Sequence, residues 1–471
     1  MSAKGSSFLR LVYLACVVAA ATLLPVAMAG GAWTFRQDFD SGSLNVAATA
    51  VSGGLVTLEP RRFASPEWAG DHWWMYFQAS GVNGATPTFR VPAMEMFQPF
   101  QSGHRFVYSY DRVNWSFFDS GEYGYNQQYY VFSNAAPFSA DDVYIAYGLP
   151  YPTSSVSAHT ERLRASPFVA PTTSGDGRCV LGRTAGGSDD LGRAIPPQDI
   201  YAYRISDFTV EGPKKRVVLT AGNHSGETTG NWALQGMVDF LVSDDPVAAS
   251  LRRSVEFLVY PMTDPDGRYA GYFRSNPENP AKDHNRYWNS PDGFTDLDIV
   301  TAAMRADSGG EVDCFLDFHS SGWSDSLGMV AGQSSGPFAA FLDALRSREP
   351  LVENVYYLDA PGAAANWAAT DAGLSAELSL TPEVGFLADW QPQRYLDLGR
   401  NYALALYEVI PEPNIAWMLI VGVGFLPRGA GLGWRRSPRP RRRTPYRQVA
   451  GDSSCVVAGL PVGNEAVSLA P

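Results

Sequence analysis

Two histidines and one glutamate in this sequence have the types and the spacing of a metal site. His224 and Glu227 stand three residues apart, directly after a predicted strand at 216–220, and His319 closes another predicted strand. Two imidazoles and one carboxylate form a ligand set typical of catalytic zinc, which leaves a fourth position open for water. Histidine and glutamate at this spacing often occur by chance, but their placement after two strands favours ligands over buried polar groups. We therefore predict one Zn²⁺ per chain.

A zinc site that activates water also needs a base. Bound zinc lowers the pKa of water toward about 7, and a carboxylate must then take the proton and pass it to the leaving amine. Glu377, on a predicted strand at 374–378, is the leading candidate, and Glu383 is its competitor.

An arginine and an amide form the next group of interest. Asn285 and Arg286 follow the turn Asp264-Pro265-Asp266-Gly267, and Arg274 lies between the turn and the pair. A guanidinium binds a carboxylate through two parallel hydrogen bonds, and a neighbouring amide adds a donor. The pair therefore suits recognition of a free chain terminus.

The elements that must position these residues divide the chain in two. From 39 to about 147, short aromatic and β-branched runs alternate with turn residues, which predicts an antiparallel β-sandwich. From about 148, predicted strands at 216–220, 254–260, 311–318 and 374–378 alternate with helical segments such as 231–242. This alternation predicts a mixed, mostly parallel, doubly wound α/β sheet, with ligands at the carboxyl ends of its strands.

The order of these residues resembles the zinc carboxypeptidase family, whose pattern is H-x-x-E, then N-P-D-G, then N-R, then a strand ending in His, and then a catalytic Glu. The resemblance implies that His224, Glu227 and His319 bind zinc and that Glu377 is the general base. It also implies that Asn285 and Arg286 hold the terminal carboxylate of the substrate, and that Arg274 stabilises the oxyanion.

The choice of Glu377 over Glu383 depends on a local match. Digestive members of that family have Gly-Phe-Leu eight residues after the catalytic glutamate, and 385–387 stand at that distance from Glu377. Tyr357 resembles the tyrosine that caps the bound terminus, because Trp367 follows it as in the family. His284 departs from the usual Asp-Leu or Asp-Ala before Asn-Arg. An approach to the metal is one alternative for its side chain, and a packing role is the one we favour.

A narrower resemblance is to the cytosolic carboxypeptidase branch, which has an N-terminal β-sandwich. Phe39-Asp40-Ser41-Gly42 and the segment 141–152 are similar to its hallmark segments, and the likeness covers about residues 36–410. It implies a sandwich domain at 32–147 and a catalytic domain at 148–410.

Both ends of the chain resemble export signals. Residues 1–29 have two basic residues, an apolar run at 11–24 and Ala27-Met28-Ala29, which predicts a signal peptide. The segment 411–443 resembles the bacterial PEP-CTERM sorting signal, with Pro-Glu-Pro, an apolar run at 415–426 and an arginine cluster. That apolar run is shorter than the roughly 20 residues of a membrane span, so we expect transient membrane association at most. The tail at 444–471 is expected to be disordered.

These features predict an exported protein, placed outside the cell or in the cell envelope of a bacterium. The net charge is −12, with about +6 from residue 428 onward and therefore about −18 before it. Such an acidic body argues against nucleic acid as a partner.

The predicted function is a secreted zinc metallocarboxypeptidase that acts on peptide or protein C-termini. One alternative is an N-acyl amino acid deacylase on the same fold, and another is a catalytically inactive surface binding protein. The sandwich domain and the spacing from Glu377 to 385 favour the peptidase over the deacylase, and the helper residues disfavour an inactive site. The stretch 358–370 contains no Lys or Arg, so it offers no basic pocket for an acidic side chain.

Overall fold

The computed structural model describes residues 32–61, 74–92, 104–123, 128–321, 325–331, 336–357 and 360–410. The predicted signal peptide, the sorting segment at 411–443 and the tail at 444–471 lie outside the described residues. Among the helices in the described ranges, none is both long enough and apolar enough to cross a membrane.

The first part of the chain forms two five-stranded sheets, which confirms the predicted β-rich N-terminal domain. One sheet has the order β1-β4-β10-β6-β7 and the other β2-β3-β5-β9-β8. All neighbouring strands are antiparallel except β3 and β5. Aromatic residues fill the interior, and the rings of Phe106 and Phe132 stack with centroids 4.0 Å apart. The strands are β1 (Thr34–Arg36), β2 (Ala50–Ser52), β3 (Leu55–Thr57), β4 (Tyr76–Ser80), β5 (Thr88–Pro92), β6 (Val107–Ser109), β7 (Ser116–Phe117), β8 (Ser120–Tyr123), β9 (Tyr129–Ser133) and β10 (Asp142–Ala146).

The second part is built on an eight-stranded sheet with the order β11-β16-β18-β17-β19-β22-β20-β21. Its centre, β18-β17-β19-β22, is parallel, and antiparallel pairs flank it, as expected for a mixed sheet. The strands are β11 (Val169–Pro171), β16 (Tyr203–Ile205), β17 (Lys215–Ala221), β18 (Val255–Tyr260), β19 (Cys314–Phe318), β20 (Leu327–Ala331), β21 (Val352–Tyr357) and β22 (Leu378–Glu383). Two small ribbons pair β12 (Val180–Arg183) with β15 (Asp199–Tyr201) and β13 (Gly187–Ser188) with β14 (Ala194–Ile195).

Helices cover both faces of this sheet. Alternate residues of a strand point to opposite faces, so a strand with apolar residues at successive positions needs cover on both sides. Val217 and Leu219 pack in one apolar cluster with α2, α3, α6 and α8, whereas Val218 packs in another with α5 and α7. The prediction of a doubly wound sheet is confirmed. The helices are α1 (Thr153–Leu163), α2 (Thr228–Leu241), α3 (Pro246–Ser254), α4 (Pro265–Ala270), α5 (Thr295–Ser308), α6 (Gly336–Arg346), α7 (Ala364–Ala368) and α8 (Pro392–Val409).

One predicted strand is misplaced by several residues, and the error matters for the site. The prediction at 374–378 was wrong, because the strand is β22 and begins only at Leu378. Ser375 has φ = 45°, a left-handed conformation that does not belong to a strand. The predicted strands at 216–220, 254–260 and 311–318 all overlap observed strands.

Polar contacts and rings join the sandwich to the α/β part. The Asp40 carboxylate accepts hydrogen bonds from the main-chain N–H groups of Thr153 and Ser154, at the N-terminus of α1. The Tyr147 and Phe386 rings meet edge to face with centroids 5.0 Å apart. These contacts place the end of the sandwich directly against the loop that follows β22.

Candidate metal centre and active site

The three predicted metal ligands lie together in the structure. His319 Nδ1 is 2.7 Å from Glu227 Oε2 and 3.1 Å from His224 Nδ1, and His224 Nδ1 is 2.8 Å from Glu227 Oε1. One ligand atom from each residue lies within 4.8 Å of the other two. All three side chains are buried. A single ion can therefore be reached by two imidazole nitrogens and one carboxylate.

The fold explains this convergence. Strands β17 and β19 are parallel neighbours, so the residues that follow them meet at one edge of the sheet. His224 lies in the loop after β17, His319 directly follows β19, and Glu227 is the residue immediately before α2. A Cβ at Gly226 would lie 2.2 Å from the Phe273 ring, so this position of the loop requires glycine.

Two buried aspartates orient the histidines. His224 Nε2 lies 2.9 Å from Asp283 Oδ1, and His319 Nε2 lies 2.8 Å from Asp317 Oδ2. Each carboxylate accepts the Nε2–H of its histidine, which leaves Nδ1 as the nitrogen with a free lone pair. The donor set and the carboxylates behind it therefore fit zinc.

The Asp317 carboxylate gives a direct test of this arrangement. We expect Asp317→Asn to weaken zinc binding about 10- to 100-fold, because an amide supports the His319 ring less well than a carboxylate. Competition with a chromogenic chelator measures the change. Asp313→Asn is the matched control, because Asp313 precedes the same strand at the opposite end of the sheet and binds Lys215. Equal zinc affinity in the two variants would contradict this role of Asp317.

Glu383, and not Glu377, is the carboxylate beside the metal ligands, which corrects the prediction. The main chain continues the β19–β22 pairing past the strand end: His319 N–H donates to Pro382 O, and Val384 N–H donates to His319 O. Glu383 is therefore paired with His319. Glu377 is six residues earlier, roughly 20 Å away along an extended strand. It is exposed and lines a cleft with Lys215 and Asp313 at the other end of the sheet.

The surroundings of Glu383 suit a general base. Burial raises the pKa of its carboxyl to about 7, and the negative charge of Glu227 adds to this, whereas His319 and Arg274 act in the opposite direction. A carboxyl with a pKa near neutrality can both accept and release a proton at physiological pH.

Arg274 lies at the metal site as predicted, and Asp283 holds it there. Its Nε and Nη2 donate to Asp283 Oδ2 over 3.1 and 2.8 Å, and its Nη1 lies 3.6 Å from Glu227 Oε1. Burial acts to raise the pKa of Asp283, but the charges of Arg274 and His224 hold it well below its usual value. Asp283 therefore remains an anion between the metal ligand and the arginine.

Asn285 and Arg286 follow Asp283 in a 3-10 turn at His284–Arg286. The Asn285 main-chain N–H donates to Asp283 Oδ1 over 2.9 Å, and its side-chain Oδ1 accepts from Ala364 N–H over 2.8 Å. A Cβ at Gly362 would lie 1.9 Å from the Arg286 carbonyl oxygen, so the two segments approach too closely for any other residue. The predicted terminus-binding pair is thus fixed beside the metal site through Asp283.

The structure does not bring Tyr357 to the metal ligands. It ends the edge strand β21, its side chain is 63% exposed, and its ring lies edge to face with Phe338 at 6.4 Å. Its neighbour Tyr356 has a raised pKa, first because of burial and then because of the Glu383 charge. Since adjacent strand residues point to opposite faces, Tyr356 is the tyrosine on the Glu383 side.

Two family models match the sequence, and they cover both parts of the fold. Residues 35–147 match the cytosolic carboxypeptidase N-terminal domain, and residues 188–322, which include all three metal ligands, match the zinc carboxypeptidase model. Residues 188–322 are therefore similar in sequence to a zinc carboxypeptidase domain.

Known proteins resemble both the sequence and the fold of this chain. Cytosolic carboxypeptidase 4 of Mus musculus is 32% identical over 203 residues, which cover 41% of this chain and 17% of the relative. Cytosolic carboxypeptidase 2 of Xenopus tropicalis is 33% identical, with 42% and 20% covered. The chain thus spans about a fifth of the length of these curated relatives. A metallo-carboxypeptidase from Burkholderia cenocepacia has the same fold, with a TM-score of 0.67, 23% identity, and 81% of this chain and 99% of that chain covered.

Three polar residues around the candidate metal centre were not predicted from the sequence. Asp283 and Asp317 bind the two histidines of this centre, and Asn223 Nδ2 donates to Asp317 Oδ2 over 3.2 Å. A signal existed for Asp317: it interrupts an apolar strand two residues before His319, at a spacing that places both on one face. Asp283 precedes the recognised Asn-Arg pair, but its link to His224 spans 59 positions and needs the fold.

Proposed function

We propose that this chain is a zinc-dependent carboxypeptidase that removes residues from the free C-termini of peptides or proteins. One observation carries the proposal: Asp283 binds the metal ligand His224, the oxyanion-stabilising candidate Arg274 and the main chain of Asn285. A single residue, Asp283, therefore links the site for a terminal carboxylate to the site for hydrolysis. Such an arrangement serves exopeptidase cleavage, whereas an endopeptidase has no use for it.

The residues of the site have separate roles in the proposed reaction. Bound zinc would supply a Lewis acid that lowers the pKa of water and polarises the scissile carbonyl. Glu383 takes a proton from the attacking water and then gives it to the leaving amine, for which its raised pKa is suited. Arg274 stabilises the negative charge that develops on the carbonyl oxygen. Arg286, with Asn285, binds the terminal carboxylate and so selects the last peptide bond.

Export is part of the proposal, and its support comes from sequence alone. The pattern at 1–29 is that of a signal peptide, and 411–443 resembles a bacterial sorting signal that is removed at the cell surface. The substrates would then be peptides outside the cell or in its envelope, and we propose one catalytic zinc at His224, Glu227 and His319.

The experiment that tests the function compares peptides that differ only at the terminus. A mixed set of peptides with free C-termini and their C-terminally amidated twins is incubated with the purified protein, with and without a chelator, and read by mass spectrometry. We expect stepwise loss of C-terminal residues from the free peptides only, abolished by the chelator and restored by zinc. Equal cleavage of both sets would refute the exopeptidase. Cleavage of N-acyl amino acids alone would support the deacylase, and no cleavage with zinc bound would support a binding protein.

A further inference from the structure

A second buried group of potential ligands lies behind the metal centre. Asp264, His284 and Asp296 each place one ligand atom within 4.8 Å of the other two, and His284 Nε2 is 3.1 Å from Asp296 Oδ1. All three residues are at most 2% exposed. Asp264 follows β18, His284 lies in the 3-10 turn and Asp296 lies in the first turn of α5. Three separate segments thus meet at this point.

The protonation of His284 follows from its neighbours. Its Nδ1 lies 2.8 Å from Asn223 Oδ1, and the same oxygen accepts from the Trp288 indole N–H over 3.2 Å. An amide oxygen only accepts, so Nδ1 of His284 carries a proton. Its Nε2 therefore faces the two aspartates, with its other ring nitrogen anchored in the manner of metal-binding histidines.

The charges favour a cation among these atoms. The buried Arg268 guanidinium acts electrostatically on Asp264, but two buried carboxylates that face one unprotonated nitrogen carry more negative charge than a single guanidinium balances, which is costly in the interior. A proton on His284 Nε2 bridges only to Asp296. Asp264 Oδ2 is fully buried and has no hydrogen-bond partner among the described residues, so that proton leaves it unsatisfied. A divalent cation would bind all three residues at once.

We propose that Asp264, His284 and Asp296 form a second divalent-cation site of the zinc or cobalt type, distinct from the catalytic metal centre. One imidazole with two carboxylates suits such an ion. The site is connected to the catalytic centre through Asn223, which accepts from His284 and donates to Asp317 behind His319.

The family pattern given above indicates how to remove this site with little disturbance. Asp264 stands where the pattern has asparagine, and His284 stands where leucine or alanine is usual. The double variant Asp264→Asn/His284→Leu returns both positions to the pattern and removes two of the three ligands. Asp264→Asn alone is a second, nearly isosteric variant. Asp266→Asn is the matched control, because it removes a neighbouring buried charge without removing a ligand.

The experiment counts metal ions per folded chain. Each protein is stripped of metal, saturated with Zn²⁺ or Co²⁺, passed through a desalting column and measured by elemental mass spectrometry, with circular dichroism as the check on folding. We expect two equivalents in the wild type and in Asp266→Asn, and one in the double variant and in Asp264→Asn. One equivalent in the wild type, or two in the folded double variant, would overturn the second site. The count does not depend on peptide cleavage, so it stands apart from the test of the carboxypeptidase.

Discussion

Glu383→Gln is expected to lower turnover about 100- to 10,000-fold while the protein keeps its catalytic metal. The amide has the shape of the carboxylate but cannot accept a proton from water. The three metal ligands are untouched, because Glu383 meets the ligand set through main-chain pairing with His319. Single-turnover rates on a free-terminus peptide and the metal content of the same sample measure the two effects.

Glu377→Gln is the matched control for this experiment. It makes the same chemical change just before the first residue of β22, at an exposed position at the far end of the sheet. We expect wild-type turnover from it. A large loss in Glu377→Gln with none in Glu383→Gln would restore the assignment made from sequence and contradict the geometry.

Arg286→Ala is expected to lower kcat/KM on free-terminus peptides by roughly 30- to several-thousand-fold. Loss of a buried charge-assisted contact costs on the order of 2–5 kcal/mol, and each 1.4 kcal/mol is about a factor of ten. The preference for free over amidated peptides should largely disappear, because the guanidinium that distinguishes a carboxylate from an amide is gone. Steady-state kinetics on paired peptides measure both effects.

Arg178→Ala provides the control for a loss of positive charge. The Arg178 side chain is 63% exposed and pairs with Asp176 within its own turn, so the variant should match the wild type. Unchanged discrimination between free and amidated peptides in Arg286→Ala would place terminus recognition elsewhere.

The convergence of the three candidate metal ligands was predictable because its signal is local. His224 and Glu227 are close in sequence, and His319 ends an apolar run that only a buried strand explains. The base was not predictable in the same way. The Gly-Phe-Leu match predicts a base eight residues before Gly385, which is the position of Glu377. Only Val384 separates Gly385 from Glu383, the glutamate that the fold pairs with His319.

Other parts of the site depend on tertiary placement. The choice between Tyr356 and Tyr357 depends on which face of β21 turns toward Glu383. A shift of one residue along the strand moves a side chain to the opposite face, so it exchanges the two tyrosines. The group of Asp264, His284 and Asp296 joins residues up to 32 positions apart. His284 was expected to have a packing role. Its Nδ1 donates to Asn223 Oδ1, and its main-chain N–H donates to the Arg274 carbonyl oxygen over 2.9 Å.

The sharing of Asp283 among three partners has a thermodynamic consequence. Because one carboxylate binds His224, Arg274 and the Asn285 main chain, substitutions at these positions act on a common group, and their free-energy effects should not add. A double-mutant cycle between Arg274 and Asp283 should give a coupling energy well above the roughly 0.5 kcal/mol expected of independent sites. Substitutions at these positions should therefore change transition-state stabilisation and metal affinity together, and neither property can be altered there without altering the other.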